Sequence, residues 1–287
     1  MTYGAQLASM RRTLHDAGIE EARLEAELLL AEAVGISRPQ LLARLAQPLE
    51  STAELTSQHL LSRRAQREPL FYILRRREFY GRELVVGPSV LIPRPETELL
   101  VEEAVREVRR LTDRLGRAPV TIDVGTGSGA IAINLAIECP DLTIVATDLS
   151  SDALKVARSN AERLGVAQRI AFVHTDLLQG LDRAPDLIVS NPPYIPTGEL
   201  AELEPEIALF EPRGALDGGP DGLDVIRRLF SRAIDGLHEG GSILLEIGHD
   251  QWPTVQSLAL SCFPHATVDV LDDLAGWPRV GRIRHYV

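Results

Sequence analysis

The chain has 287 residues, 45% of them hydrophobic and 25% charged, a balance typical of one large or two smaller globular domains and not of a disordered protein. Its formal charge of −11 disfavours sequence-independent binding to nucleic acids, because an acidic protein repels phosphate. No apolar run approaches the roughly 20 residues of a membrane-spanning helix, and the N-terminus lacks the apolar core of a signal peptide. We therefore expect a cytoplasmic protein without a membrane partner.

The cysteines and histidines predict no metal site. Cys139 and Cys262 are the only cysteines, and they lie far apart in apolar contexts, as free thiols of a reducing compartment do. The seven histidines form no pair at metal-ligand spacing.

Residues 1–77 have the pattern of a small helical domain. Apolar residues recur at helical spacing, and Ser37 followed by Pro39 predicts the start of a helix. The segment contains no catalytic constellation. This organisation favours a domain that docks a substrate protein.

Arginines cluster at the end of this domain and just beyond it. Residues 1–87 hold 12 arginines against 11 acidic residues, whereas the remaining 200 residues hold 18 basic and 30 acidic ones. The cluster predicts either a solvated helix face followed by a loop or a docking patch for an acidic or RNA-bound partner. Its members are Arg63, Arg64, Arg67, Arg75, Arg76, Arg77 and Arg82.

The rest of the chain predicts a β-hairpin linker over 78–93 and an α/β catalytic domain over 94–287. Helical periodicity over 94–111 gives way to alternating strands and helices, the pattern of a parallel sheet with helices on both faces. The predicted strands are 120–124, 143–147, 170–174, 186–190 and 242–247, with two more in the tail from Ala266. The predicted helices are 130–138, 151–164, 222–238 and 250–261.

The segment TIDVGTGSGAIAINLA (121–136) reads as a strand, a glycine-rich turn and a helix, a candidate cofactor site. Glycines let the backbone turn tightly against a ligand, and the helix offers unpaired N–H groups. A tight connection without a ligand is the alternative. The residues that would bind the cofactor are Gly125, Thr126, Gly127, Ser128 and Gly129.

The chemistry of the site favours S-adenosylmethionine over other nucleotides. The spacing G-x-G-x-G differs from the dinucleotide pattern, and the phosphate-binding GxxxxGK[ST] motif is absent from the sequence. Asp148 ends the next strand, where its carboxylate can accept hydrogen bonds from ribose hydroxyls. Asp176 and Leu177 follow the third strand and are candidates for the adenine site, although Asp176 could instead cap a helix.

The stretch Ser190-Asn191-Pro192-Pro193-Tyr194 ends the fourth strand at the same sheet edge. Each proline removes a backbone donor and holds the preceding residue extended. The Asn191 side-chain oxygen and the carbonyls before the prolines are thus left as acceptors, and Tyr194 adds a ring for stacking. The stretch therefore predicts a clamp for a planar NH₂ group, with Asn191, Pro192 and Tyr194 as catalytic residues and Pro193 as a further substrate contact; Asn191 also touches the cofactor site.

This clamp suits methyl transfer to an amide nitrogen. Hydrogen bonds from both N–H groups to acceptors favour positive charge on the nitrogen, and the methylated nitrogen is acidic enough to need no dedicated base. An aspartate at position 191 would keep an oxygen there and is expected to retain substantial activity.

Several motifs together resemble the HemK-type (PrmC) protein-glutamine methyltransferases. They are EPLFYI (68–73), LIPRPETE (91–98), DVGTGSGAIA (123–132), SNPPYIP (190–196), FEPRGALDGGPDGLDVI (210–226) and ILLEIG (243–248). The resemblance implies a class I S-adenosylmethionine-dependent methyltransferase with a Rossmann-like seven-stranded sheet and a small N-terminal helical domain. It implies that the substrate is the glutamine of the Gly-Gly-Gln motif of class 1 peptide chain release factors. Arg75 and the ending LAGWPRVGRIRH depart from the family pattern, which affects the expected partner contacts more than the chemistry.

Two alternatives stay open at this stage. The same chemistry could act on a glutamine of a ribosomal protein or on an adenine amine of RNA or DNA, which the acidic charge disfavours. The chain could instead be a cofactor-binding, ribosome-associated module without turnover, which the intact clamp disfavours.

Overall fold

The computed structural model describes residues 1–285, and the chain divides into two compact units. Unit 1 holds residues 1–76 together with 204–210, and unit 2 holds 77–203 and the chain from 211 onward. The division differs from the predicted domains in two places. The hairpin belongs to unit 2 apart from its first residue, Arg76, and the short segment 204–210 belongs to unit 1. Among residues 1–285, none of the helices combines the length and apolar character that crossing a bilayer requires.

Unit 1 is helical, as predicted. A capping box between Ser37 and Gln40 starts its third helix, with Pro39 in the first turn. Apolar side chains such as Met10, Leu14 and Leu30 form its own core. The helices are α1 (Tyr3–Asp16), α2 (Ala22–Val34), α3 (Arg38–Leu42), α4 (Ser51–Ala65) and α5 (Leu70–Leu74), joined by Pro205–Phe210, which is α9 in chain order.

The segment 204–210 is held in unit 1 by arginines of the predicted cluster. Arg64 is 5% exposed and contacts Glu206 at 2.7 Å, in addition to Glu25. Arg67 contacts Glu206 at 2.6 Å and the exposed Glu204 at 2.9 Å. A buried guanidinium needs a carboxylate partner, and α9 brings one.

The prediction of a solvated face is therefore wrong for Arg64 and Arg67, whereas the alternative of a docking patch stays a prediction. Arg63 pairs with Glu68, Arg76 with Glu32, and Arg82 with Glu138, so these charges are neutralised within their own unit. The sequence shows the density of charge but not the partner of each charge, and Arg67 and Glu206, for example, are 139 residues apart.

Unit 2 is built on a seven-stranded sheet in the order β5-β4-β3-β6-β7-β9-β8. Neighbouring strands run parallel except β9, which is antiparallel to both of its neighbours. The five predicted strands and the two tail strands all form, with ends shifted by one or two residues at most. The strands are β3 (Thr121–Val124), β4 (Ile144–Asp148), β5 (Ile170–His174), β6 (Leu187–Ser190), β7 (Ser242–Glu246), β8 (Thr267–Asp272) and β9 (Pro278–Arg284).

Helices pack on both faces of this sheet and bury two apolar clusters. The predicted helix 222–238 is shorter than expected, because Gly222 adopts a positive φ of 76° and the chain turns at Gly236. Cys139 and Cys262 are free and partly buried. The helices are α6 (Thr97–Leu115), α7 (Ala130–Glu138), α8 (Ser151–Arg163), α10 (Asp224–Ala233) and α11 (Trp252–Cys262).

The predicted hairpin forms, but it begins earlier and is shorter. Strands β1 (Arg76–Phe79) and β2 (Arg82–Val85) are joined by Tyr80 and Gly81, both with positive φ. Residues 86–93 have no regular secondary structure and lead toward the carboxyl edge of the large sheet.

Candidate active site

A cavity of about 400 Å³ opens in unit 2, beyond the carboxyl ends of β3, β4, β5 and β6. Parallel strands end at one edge of a sheet, so the residues that follow each strand converge there. The structure brings together most of the predicted site residues around this cavity. Those that line it are Gly125, Thr126, Gly127, Ser128, Asp148, Asp176, Leu177, Asn191, Pro192 and Pro193.

The glycine turn after β3 has the predicted conformation. Gly125, Gly127 and Gly129 all have positive φ, which favours glycine. Gly129 does not line the cavity: a Cβ there would lie 2.8 Å from Ile133 Cδ1 and 3.2 Å from Ala157 Cβ. The absence of a side chain at Gly129 thus lets α7 and α8 approach each other closely. A direct contact between Gly129 and the cofactor stays a prediction.

Asp148 orders the rim of the cavity at the end of β4. Its Oδ2 accepts from the Gly127 N–H at 2.9 Å, and its Oδ1 accepts from the Ser150 N–H at 2.8 Å. Each carboxylate oxygen has a second lone pair. The predicted ribose contact is therefore compatible with this arrangement, in which Asp148 also holds the glycine turn in place.

Asp123, within β3, is a buried carboxyl that the sequence-based reasoning passed over. Its Oδ2 accepts from the Thr126 hydroxyl at 2.7 Å and from the Ala132 N–H at 3.1 Å, while Oδ1 has no partner among residues 1–285. Burial raises the pKa of Asp123 to about 7, against the opposing effect of these hydrogen bonds. The sequence could have indicated this residue, because the interior of a buried strand seldom contains an aspartate without a charged partner.

The residues after β5 do not form the helix that one of the two predictions for Asp176 requires. Residues 175–180 form bends and turns, so the interpretation of Asp176 as a helix N-cap is wrong. The Asp176 carboxylate pairs with Arg228, which also lines the cavity. Leu177 has a φ of 55° and presents an apolar side chain beside it.

The Asn-Pro-Pro-Tyr stretch lies at the end of β6. Asn191 Nδ2 donates to Thr97 Oγ1 at 3.1 Å, while no donor of residues 1–285 hydrogen-bonds Asn191 Oδ1. Tyr194 does not line the cavity. Its hydroxyl donates to Glu246 Oε1 at 3.2 Å, and burial together with the Glu246 charge raises the pKa of Tyr194. The predicted stacking role of its ring therefore stays a prediction.

Backbone contacts fix the chain just after the clamp. Gln251 Nε2 donates to the Tyr194 carbonyl at 2.8 Å. Ile195 N–H donates to the Leu216 carbonyl at 3.0 Å, and Gly218 N–H donates to the Ile195 carbonyl at 2.9 Å. The segment from Leu216 to Gly218 therefore holds the backbone that follows Tyr194 in place.

The residues that form two walls of the cavity were not predicted as site residues, although most of them lie in motifs singled out in the sequence. One wall is formed by Ser89, Val90, Leu91, Pro93 and Thr97, the other by Pro212, Gly214 and Ala215. Both belong to motifs that carried the family resemblance, LIPRPETE and FEPRGAL, except for the residues before Leu91. Among residues 1–285, no three His, Cys, Asp or Glu side chains group as a metal site would need.

Comparison with known proteins identifies relatives over nearly the whole chain. Residues 6–74 match the PrmC N-terminal domain, and residues 98–204 match the methyltransferase small domain. The release factor glutamine methyltransferase of Moorella thermoacetica is 42% identical over 280 residues, 97% of each chain. That of Geobacter sulfurreducens is 45% identical over 246 residues, 85% of this chain and 84% of the relative.

A solved structure supports the fold. A methyltransferase from Pyrococcus furiosus superposes with a TM-score of 0.55 at 17% identity, covering 79% of this chain and 99% of that one. At this identity the likeness concerns the fold alone. The chain thus has the class I methyltransferase architecture, a seven-stranded and mostly parallel sheet with a helical N-terminal region.

Proposed function

The chain belongs to the family of release factor glutamine methyltransferases, and we propose that it methylates the side-chain amide of the glutamine in the Gly-Gly-Gln motif of class 1 release factors. The observation that carries this proposal is the free Asn191 Oδ1 at the wall of the cavity, held in place by its own Nδ2 contact to Thr97. A release factor is then the partner, and the enzyme works in the cytoplasm, where translation ends.

The residues around the cavity fit S-adenosylmethionine, which when bound supplies an electrophilic methyl group on a sulfonium. We assign its binding to the glycine turn, Asp148 and the pair Asp176–Leu177, together with Asn191. Apolar Leu149 and Leu177 on the cavity wall suit an adenine ring.

The clamp residues would act on the substrate nitrogen. An amide nitrogen is a weak nucleophile, because its lone pair is delocalised into the carbonyl. Hydrogen bonds from its two N–H groups to Asn191 Oδ1 and to a carbonyl of the Pro-Pro unit would favour the positive charge that develops during transfer. The prolines contribute by removing competing donors and holding Asn191 and Pro192 extended.

One labelling experiment tests the proposal. The full chain is incubated with methyl-labelled S-adenosylmethionine and, separately, with a purified class 1 release factor, the same factor with alanine in place of the Gly-Gly-Gln glutamine, ribosomal proteins, and RNA. We expect label only in the unaltered release factor. Label in the alanine variant would overturn the assignment of the glutamine, and label in ribosomal protein or RNA alone would overturn the substrate class.

A further inference from the structure

Behind Asn191, a chain of polar side chains runs into the protein. Asn191 Nδ2 lies 3.1 Å from Thr97 Oγ1, and Thr97 Oγ1 lies 2.6 Å from Glu246 Oε2. The other oxygen of Glu246 accepts from the Tyr194 hydroxyl. Glu246 ends β7, is 1% exposed and does not line the cavity, whereas Asn191 and Thr97 do. Three motifs distant in sequence thus meet in one hydrogen-bonded chain.

The direction of each hydrogen bond follows from the protons available. The Thr97 hydroxyl has one proton, and its shorter contact is with a carboxylate, so the proton lies toward Glu246. The Thr97 oxygen is then only an acceptor toward Asn191, which must present its Nδ2–H to it. The Asn191 amide is thereby held with Nδ2 inward, and Oδ1 remains as the end without a protein partner.

Both neighbours of Glu246 are hydroxyl donors, as a carboxylate requires. Burial raises the pKa of Glu246, while the hydrogen bond from Thr97, the nearby Arg279 charge and the hydrogen bond from Tyr194 oppose that rise. Arg279 is itself fixed, through Nη1 to the Ile247 carbonyl at 3.1 Å and through Nη2 to Asp273 at 3.1 Å. These contacts compensate for burial only in part, so the pKa of Glu246 stays above its usual range.

We propose that Glu246 is a positioning residue: through Thr97 it determines which end of the Asn191 amide faces the substrate. The inference rests on the proposed function, because the orientation of the Asn191 amide affects catalysis only if the substrate presents N–H donors to it. A substrate amide that meets Asn191 Oδ1 is hydrogen-bonded. One that meets Asn191 Nδ2 places donor against donor, and the nitrogen loses its alignment with the methyl group.

Four variants separate this role from a structural one. Thr97→Val removes the hydroxyl at nearly constant shape, and Thr97→Ser keeps it. Glu246→Gln replaces one of the two acceptor oxygens with an NH₂ donor, so that Thr97 and Tyr194 can no longer both donate to this side chain. Ser242→Ala is the matched control, because Ser242 also donates to a buried carboxylate, Glu107, at 2.5 Å but has no contact with Asn191.

We expect Thr97→Val to lower kcat by about 10–100-fold, as the misplacement of a reacting group does, and Glu246→Gln to lower it by a smaller factor, with the Kd for S-adenosylmethionine unchanged by calorimetry in both. Thr97→Ser should keep most of the activity, and Ser242→Ala should lower stability without lowering kcat. An unchanged kcat in folded Thr97→Val, or an equal loss in Thr97→Ser, would overturn the proposal.

A second measurement decides the hydrogen-bond direction without any substrate. The chain has three asparagines, Asn134, Asn160 and Asn191, so nitrogen-15 labelling of asparagine gives three side-chain NH₂ groups for NMR. In the wild-type protein one Asn191 amide proton should exchange slowly with water, and Thr97→Val should remove that protection.

The wild-type spectrum alone tests the orientation of the Asn191 amide, even if Thr97→Val and Glu246→Gln both misfold. Fast exchange of both Asn191 amide protons overturns the orientation. If the wild-type protein instead shows the protection but fails to label a release factor, the proposed function fails while the orientation stands, so the two failures are distinguishable.

Discussion

Arg94 and Glu211, 117 residues apart in sequence, form an ion pair in which Arg94 Nη2 donates to Glu211 Oε1 at 2.6 Å. Glu211 Oε2 also accepts from the Ile92 N–H at 3.2 Å. The pair joins the segments that form the two missed cavity walls. Its partners come from LIPRPETE and FEPRGAL, so these motifs are coupled structurally as well as by family resemblance.

Removal of the Glu211 carboxylate should destabilise unit 2. Glu211→Ala leaves the Ile92 N–H without its acceptor and the half-buried Arg94 without its carboxylate partner, which should lower the free energy of unfolding by about 1–3 kcal/mol in urea. Glu102→Ala is the control, since its ion pair with Arg106 is exposed and should contribute about 0–1 kcal/mol. Equal effects of the two substitutions would contradict a structural role for the Arg94–Glu211 pair.

Asp148→Ala should weaken S-adenosylmethionine binding by ~1–3 kcal/mol, the range for loss of a charged hydrogen-bond partner. It removes the proposed ribose acceptor and also frees the Gly127 and Ser150 N–H groups. Asp152→Ala on the adjacent helix alters an exposed carboxylate that pairs with Lys155 and should leave affinity unchanged. Calorimetry checks both, and unchanged affinity in Asp148→Ala would remove Asp148 from the cofactor site.

Asp123 should make the stability of the cofactor-free protein fall with rising pH. Its pKa is about 7 in the folded protein and ~3.9 when unfolded, so only the unfolded chain releases the proton between these values. The contribution is present below pH ~4 and is lost as pH rises through about 7, at most roughly 4 kcal/mol at 1.36 kcal/mol per pKa unit. Asp123→Asn should flatten this part of the stability profile in urea titrations from pH 5 to about 8. A variant with the wild-type slope would show that another group titrates.

Asn191→Ala should lower kcat by roughly 10²–10³, by analogy with the loss of one preorganised hydrogen bond in a transition state, with little effect on cofactor affinity. The structure changes the expectation for Asn191→Asp. A carboxylate has no N–H for the Thr97 oxygen, whose own proton lies toward Glu246, so two acids would compete for one proton. We now expect the aspartate variant to lose activity about as severely as alanine. Single-turnover methyl transfer measures both, and substantial activity of Asn191→Asp would speak against this account.

Glu206 and Glu204 form a matched pair for testing the anchoring of α9. Glu206 is partly buried and holds Arg64 and Arg67, which keeps its pKa below the usual range despite burial, whereas Glu204 is 73% exposed. Glu206→Ala should cost about 1–3 kcal/mol of stability and expose 204–210 to limited proteolysis, and Glu204→Ala should do neither. Because the Glu206 pKa is lowered, its contribution is present above pH ~4.3 and is lost as pH falls below that value. Protection of the segment in Glu206→Ala would contradict the anchoring role.

The sequence predicted what depends on local pattern. Strand and helix periodicity gave the sheet, and the glycine spacing gave the turn at Gly125–Gly129, because these features arise from backbone geometry over a few residues. Proline chemistry likewise indicated that Asn191 would be held as an acceptor.

The sequence could not predict which side chains pair with each other when they are far apart along the chain. Nothing near Glu246 indicates that its carboxylate meets Thr97, 149 residues earlier, or that Tyr194 would direct its hydroxyl to the same group. The burial of Arg64 and Arg67 was missed for the same reason, since charge density does not reveal that both would pair with Glu206.

The membership of 204–210 in unit 1 has a consequence for biosynthesis. A ribosome releases the chain from its N-terminus, so the first five helices emerge long before Glu206, which is the second carboxylate partner of their buried Arg64 after Glu25. Unit 1 can therefore reach its final structure only after β3 to β6 have also been translated. During that interval Arg64 has Glu25 as its carboxylate partner but lacks Glu206, so unit 1 is completed only once the strands of the catalytic sheet that precede Glu206 have been translated.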